Sequence, residues 1–196
     1  MKRALSTSGL LLLPATVMAH TGGEVHSFIA GSLHPLGGLD HLLAMLAVGL
    51  LAGHGGGAMR WWLPATFVSA MVLGATLGAA GVAVPLIEVG IAFSLIAFGA
   101  ALVFKQPLRA PALVALTAGF ALFHGHAHGT EMGAGLAALP YALGFTLATT
   151  LLHAIGVLLA SKTLLPLPQA TLLKWSGSAI AAIGVVSLGV LLAVPA

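Results

Sequence analysis

Apolar stretches of about twenty residues, the length that crosses a bilayer, recur along almost the whole chain and limit its fold more than any other feature. Six of them follow one another, punctuated by glycine, proline or a lone charge, over residues 35–54, 62–81, 85–104, 110–128, 134–160 and 171–194. Lipid offers the backbone no hydrogen-bond partners, so such stretches must be helices, and the alternation typical of a membrane barrel is absent. We predict an all-α, polytopic membrane protein built as a six-helix transmembrane bundle.

The scarcity of charge leads to the same class of protein. Of the 196 residues, 59% are hydrophobic and only 6% are charged, whereas soluble domains carry roughly a quarter charged residues. Most of the surface must therefore contact the lipid bilayer. The net charge of +3 includes no basic run, which argues against a nucleic-acid partner. Cysteine is absent, so thiolate ligands are excluded and the redox compartment cannot be inferred.

Residues 1–19 have the layout of a secretory signal peptide. Lys2 and Arg3 form a basic start, residues 10–18 are apolar, and small residues precede a cleavage site after Ala19. The apolar part is shorter than the ~20 residues of a spanning helix, although an uncleaved signal anchor is the alternative. Residues 20–196 then form a single six-helix transmembrane domain that begins on the outer side.

Charged residues predict the orientation of the bundle, because basic residues concentrate on the cytoplasmic side. With six spans, all the later basic residues fall at one end: Arg60, Lys105, Arg109, Lys162 and Lys174. The acidic residues fall at or near the other end: Glu24, Asp40, Glu88 and Glu131. We expect a bacterial-type inner membrane location, with both mature termini on the outer, periplasmic side.

The first group of chemically active side chains is HPLGGLDH, which places His34, Asp40 and His41 at the outer end of the first span. Seven residues separate the histidines, so they share a face if the helix is regular. Proline and glycine between them also allow His34 to bend inward. The alternative is that His34 caps the helix and Asp40 pairs with another helix. Ionisable groups inside an apolar span usually face a cavity or an ion path, which favours a functional site.

The second group is FHGHAHGTE, at the outer end of the fourth span. On a continuing helix His124, His128 and Glu131 lie in one arc, while His126 points elsewhere. Two imidazoles at i and i+4 with a carboxylate commonly grip a metal. Gly125 could loosen the helix, and a solvated histidine-rich loop is the alternative.

Glu88 lies near the start of the third span and joins the other two groups at the outer end. By itself it could be a carboxylate that complements the helix dipole. Its position beside two other polar groups favours mutual pairing or a shared cation, which would lower the cost of burying them all.

The remaining histidines are more ambiguous. His153 lies in the inner half of the fifth span, where it is either hydrogen-bonded to Thr149 or a second station along a path. His54 is expected at the inner interface. His20 and His26 belong to the new N-terminus, which is expected to be a solvated tail.

Ligand type limits the choice of metal. Neutral imidazole with carboxylate suits Ni(II), Co(II) and Zn(II), whereas Cu(I) favours sulfur. These atoms do not separate nickel from cobalt or zinc, and they imply no organic cofactor. A homo-oligomer is left open.

The motifs HPLGGLDHLLAMLAVGL and FHGHAHGTE, with the LHAIG segment and the N-terminal signal, resemble the HupE/UreJ proteins over essentially the whole mature chain. These are membrane accessory proteins of nickel hydrogenase and urease systems, regarded as nickel permeases. The resemblance implies that Ni(II) is the transported ion and that the protein is not an enzyme. The family pattern carries onto His34, Asp40, His41, Glu88, His124, His128 and Glu131, whereas His126 occupies a variable family position.

Two other functions fit the residues. An intramembrane metalloenzyme, either a di-iron or a zinc enzyme, would hold its metal and keep an open coordination position. A metal sensor or assembly partner would bind metal without transporting it. The primary hypothesis is an uptake permease for nickel or cobalt.

Overall fold

The computed structural model describes residues 28–104, 108–132, 138–161 and 168–193. The predicted signal peptide at 1–19 lies outside these ranges, as do the predicted N-terminal tail with His20 and His26 and the basic residues Lys105 and Lys162. Those predictions remain untested.

The described chain folds into seven helices, and all of its regular structure is helical, which confirms the all-α part of the predicted fold. The count of six spans stays a prediction. In order, the helices are α1 (Phe28–Gly37), α2 (Leu39–Gly55), α3 (Met59–Ala79), α4 (Ile87–Val103), α5 (Ala110–Met132), α6 (Ala138–Ala160) and α7 (Gln169–Ala193). The ends of α3 to α7 agree with the predicted spans to within four residues.

Four of these helices, α3, α5, α6 and α7, are long and apolar enough to cross a membrane. The α1–α2 pair adds a fifth crossing if the two helices form one broken span. Helix α4 is apolar but shorter, with 17 residues. The protein is therefore a multi-pass helical membrane protein, in agreement with the lipid bilayer partner predicted from its composition.

The first predicted span is the place where the structure departs most from regularity. Helices α1 and α2 meet at an angle of 87°, so a straight helix over 35–54 is wrong. Gly38 separates them in an extended conformation, with φ −105° and ψ 114°, which a helix cannot continue through. The alternative in which His34 bends away from the axis of the span is the one the structure adopts.

Glycines on both sides of the contact let α3 and α5 approach closely. Gly74 and Gly78 of α3 lie against the backbone of α5, and Gly125 and Gly129 of α5 lie against the backbone of α3. A Cβ atom at any of the four would overlap backbone atoms of the partner helix, so these positions require glycine for close packing. Helix α5 stays continuous to Met132, so Gly125 does not loosen it.

Two further helix pairs pack in the same way. Gly49 of α2 meets Gly156 of α6, and Gly99 of α4 meets Gly177 of α7. Large apolar side chains that remain exposed, such as Trp61 and Leu192, point away from these contacts, as expected for a surface that faces lipid. The close helix pairs hold the start of α2, the start of α4 and the end of α5 at the same end of the bundle.

Candidate metal centre

The bend between α1 and α2 turns two ends of one motif toward each other. His34 lies on α1, which packs against α6, whereas Asp40 and His41 occupy the first turn of α2. Gly38 at the break leaves room for them, because a Cβ atom there would lie 3.0 Å from the Asp40 carboxylate and 3.2 Å from the His41 ring. The HPLGGLDH motif therefore forms a corner of the bundle, with its polar side chains directed toward α5.

Helix α5 supplies the opposite side of the cluster. His124 is fully buried, His128 is 6% exposed, and both imidazoles pack on the ring of His41, with ring centroids 4.7 Å and 4.3 Å away. Residues four apart share a helix face, which explains why both rings reach the same neighbour. The face of α5 that carries His124 and His128 is therefore directed into the bundle.

The outermost part of the cluster brings together three side chains that could hold a metal ion. The Nε2 atom of His34 lies 3.6 Å from Glu131 Oε2, and His128 Nδ1 lies 3.7 Å from the same oxygen. One ligand atom from each of these three residues lies within 4.8 Å of the others. Two atoms that bind one ion at the usual 2.0–2.2 Å lie at most about 4.4 Å apart. A small rotation of one side chain would therefore allow all three to bind the same ion.

Asp40 orients His41. The Asp40 Oδ1 atom lies 2.8 Å from both the backbone nitrogen and the Nδ1 atom of His41. An ionised carboxylate only accepts hydrogen bonds, so His41 Nδ1 must carry the proton and Nε2 the lone pair. That Nε2 atom is buried and has no hydrogen-bond partner in the described structure. Carboxylate–imidazole pairs of this kind commonly support a metal-binding histidine.

Ser94 of α4 orients His124 by a hydrogen bond. The Ser94 hydroxyl lies 2.6 Å from the carbonyl oxygen of Ile91 and 3.0 Å from His124 Nε2. Its single proton is donated to the carbonyl, so the hydroxyl oxygen accepts from His124 Nε2–H. The lone pair of His124 then resides on Nδ1, which is buried and unpaired among the described residues. Sequence analysis missed Ser94, although a lone serine within the apolar run of α4 was a weak signal.

Glu88 lies at the rim of the cluster. It is an exposed residue in the first turn of α4, close enough to Asp40, His41 and Glu131 to interact with them electrostatically. All seven predicted metal-site residues therefore lie at one end of the bundle. Within the described part of the chain, the short-range metal geometry includes only His34, His128 and Glu131.

His126 faces away from the cluster, as predicted. Its Nε2 atom lies 2.6 Å from the carbonyl oxygen of Val82, and because a carbonyl only accepts, the imidazole donates this hydrogen bond. Val82 belongs to the connection between α3 and α4, so His126 fastens that connection to α5. The contact pairs one of its ring nitrogens without a metal, while Nδ1 is buried and has no hydrogen-bond partner among the described residues.

Aromatic side chains enclose the polar cluster, and sequence analysis did not single them out. Phe145 packs on His128 with ring centroids 4.4 Å apart, and Tyr141 lies 5.6 Å from His34. On the inner side Phe67 lies 5.8 Å from His124. In an apolar helix, the sequence does not distinguish a phenylalanine that lines a site from one that packs in the core. Only the folded structure identifies the phenylalanines that line this cluster.

Comparison with known proteins gives consistent results. The chain matches the protein-family model described as HupE / UreJ protein over residues 8–187. It is 40% identical over 156 residues to Protein HupE of Rhizobium leguminosarum bv. viciae, in an alignment that covers 80% of this chain and 82% of that protein. No solved structure matches the chain.

Proposed function

The chain belongs to the HupE/UreJ family, and from that membership we propose that it is an uptake permease for Ni(II), which it supplies to a nickel enzyme such as hydrogenase or urease. Co(II) and Zn(II) are the competing ions, because imidazole and carboxylate ligands suit all three. The metal is the cargo, and no organic cofactor is needed. The family supplies the choice of nickel, while the side chains support a divalent-metal site.

One observation carries the proposal: unpaired imidazole nitrogens and carboxylates converge at one end of an otherwise apolar bundle. Buried nitrogens of His41, His124 and His128 have no partner among the described residues. An unsatisfied buried polar group costs about 1–3 kcal/mol, so the four unpaired nitrogens of these three histidines are together an expensive arrangement for a purely structural cluster. A divalent cation would satisfy the lone pairs and balance the nearby carboxylates.

We further propose six crossings, with α2 and α4 as the two short ones. Each has 17 residues, the lower limit of a spanning helix at about 1.5 Å per residue. Helix α1 then lies across the outer end. Arg60, Arg109 and Lys174 fall at the inner end under the positive-inside rule, and the metal cluster opens to the periplasm.

The absence of native cysteine makes this topology simple to test. A single cysteine at Ala83, in the α3–α4 connection, should react with a membrane-impermeant maleimide added to intact cells. A cysteine at Ala58, in the α2–α3 connection, should react only after the cells are opened. The reverse pattern would exclude capture of metal from the periplasm.

The membrane potential is a sufficient driving force for uptake. A divalent cation that moves inward gains about 4.6 kcal/mol per 100 mV, twice the value for a single charge. The cluster therefore captures the ion, and the membrane potential draws it inward, with or without coupled protons.

The test is metal influx into vesicles that contain the purified full chain and a metal-quenched dye. Ni(II) should quench the dye rapidly, and His41→Ala should abolish this influx because it removes the ring that links His124 and His128. His54→Ala, at the exposed inner end of α2, is the matched histidine control and should transport normally. Influx through His41→Ala at the wild-type rate would contradict the proposal.

Metal content after purification separates the permease from the alternatives. A carrier must release its ion, so the purified protein should retain little metal after dialysis. Stoichiometric iron or zinc that survives purification would favour an enzyme. Nickel binding without influx would favour a sensor or assembly partner.

A further inference from the structure

His153 is a buried histidine that the outer cluster does not include. It lies on α6, is 1% exposed, and neither of its ring nitrogens has a hydrogen-bond partner in the part of the chain that the structure describes. The hydrogen bond to Thr149, one of the two alternatives from the sequence, is not formed; the Thr149 hydroxyl lies instead 4.0 Å from the sulfur of Met71. A buried imidazole with two unpaired nitrogens calls for an explanation such as an ion or a water.

The position of His153 is deeper in the bundle than the outer cluster. Its backbone carbonyl lies against Gly49 of α2. Eight residues separate Gly49 from His41, which at 1.5 Å per residue corresponds to about 12 Å along the helix. His153 is therefore well inside the apolar part of the bundle, on the route from the cluster toward the inner end.

One aromatic ring connects the two levels. Phe67 of α3, which is fully buried, packs on His124 with ring centroids 5.8 Å apart and on His153 with centroids 5.0 Å apart. Helix α3 packs against both α5 and α6, so it bridges the helices that carry the two histidines. Ring contacts therefore connect the imidazoles of the outer cluster to His153, and the phenyl ring of Phe67 is the single ring between them.

Weak donor atoms accompany His153. Thr149 precedes it by one helical turn on the same face of α6, is fully buried, and lies next to the Met71 thioether. One imidazole with a hydroxyl and a thioether makes a poorer site for Ni(II) than several imidazoles with carboxylates. Conduction requires binding that is favourable but weak enough for release, and such a donor set satisfies that condition.

We propose that His153 is an inner station that receives the metal from the outer cluster and passes it toward the cytoplasmic end. This inference rests on the proposed permease function and adds a second binding position to it. The outer cluster captures the ion, and His153 shortens the apolar distance that the ion must cross without a ligand.

The test uses His153→Leu in vesicles that contain the full chain. Leucine has a similar size and removes two unpaired nitrogens, so thermal stability should be unchanged or higher. Nickel bound at equilibrium by the outer cluster should stay within about twofold of wild type, while the initial influx should fall at least about tenfold, as is common when metal-site residues are removed. His54→Leu is the matched control and should transport at the wild-type rate.

The outcomes separate this inference from the function on which it rests. If wild type and His153→Leu admit nickel equally fast, the inner station is refuted and the permease stands. If wild type itself admits no nickel, the proposed function fails. A fall in influx accompanied by a lower melting temperature or by lost binding would show a packing role and would also refute the station. If His153→Leu does not fold, His153→Asn is measured by the same criteria.

Discussion

The two faces of α5 carry histidines with opposite roles, although the residues are only two positions apart. His126 is buried and donates a hydrogen bond to the carbonyl of Val82. His128 is equally buried, yet neither of its nitrogens has a hydrogen-bond partner in the described structure; its Nδ1 lies 3.7 Å from Glu131 Oε2 and its ring packs on His34 and His41. Burial does not distinguish a structural histidine from a candidate ligand, and neither does an open nitrogen, because His126 Nδ1 is also buried and unpaired among the described residues. The neighbours of each ring make the difference: other imidazoles and a carboxylate surround His128, whereas a backbone carbonyl binds His126.

The comparison also explains why α5 must be rigid. Its inward face presents His124 and His128 to the cluster, while Gly125 and Gly129 seat it against α3. The glycines and the histidines alternate along the same turns, so close packing on α3 sets the position of the imidazoles. A helix that shifted on α3 would misplace both rings.

The largest effect is expected from His128→Ala, which removes a ligand atom close to both Glu131 and the ring of His34. We expect nickel influx to fall by roughly a hundredfold or more, the upper range for loss of a metal-site group. Vesicle influx at equal protein density measures it. His126→Gln retains a donor for Val82 on the other face and should keep influx within about twofold.

Equal losses in both variants would contradict the division of roles between the two faces. The melting temperatures of both variants show whether a loss of influx comes from a loss of stability. Only His126→Gln changes a side chain that is hydrogen-bonded in the native structure, to the carbonyl of Val82.

A smaller effect is expected from Asp40→Asn. This variant tests a residue that orients a histidine, whereas His128→Ala removes a candidate ligand. The neutral amide no longer favours a proton on His41 Nδ1 as strongly, so the Nε2 lone pair is less often available. Nickel affinity should fall about 10- to 100-fold, as for other groups that orient metal ligands. Equilibrium dialysis with radioactive nickel measures it, and unchanged affinity would exclude an orienting role.

The smallest effect is expected from Ser94→Ala, which leaves His124 Nε2–H without its acceptor. Affinity should fall severalfold, up to about tenfold, and stability should fall by about 1–3 kcal/mol because a buried donor becomes unpaired. Thr117→Val on α5 is the control, since the fully buried Thr117 hydroxyl bonds only to the Leu113 carbonyl of its own helix. The control should change stability but leave nickel affinity at the wild-type value.

Much of the fold was predictable because membrane helices can be recognised from the sequence as long apolar stretches. The stretches 62–81 and 171–194 correspond to Met59–Ala79 and Gln169–Ala193, because length and apolarity alone decide whether a segment can span lipid. The number of crossings does not follow from length and apolarity alone, since α4 is short and α1–α2 is bent. The bend depends on the backbone conformation of one glycine, which hydropathy does not report.

The position of the candidate site was predictable, but the separate roles of its residues were not. The i, i+4 spacing of His124 and His128 correctly placed them on one face, and the same spacing rule separated His126. No local pattern could show that Asp40 orients His41 or that Ser94 orients His124, because one pairing depends on side-chain rotation and the other joins α4 to α5. That these residues bind metal stays a prediction.

The sequence by itself determined that the chain is a bundle of membrane helices and that the histidines and acids of HPLGGLDH and FHGHAHGTE gather with Glu88 at one end, because apolar length and charge placement are local properties. Only the tertiary structure decided which ring nitrogens are paired and which are open, and that Phe67 joins His124 to His153. Those facts depend on contacts between helices that are distant in the chain, and glycine-mediated packing brings those helices together.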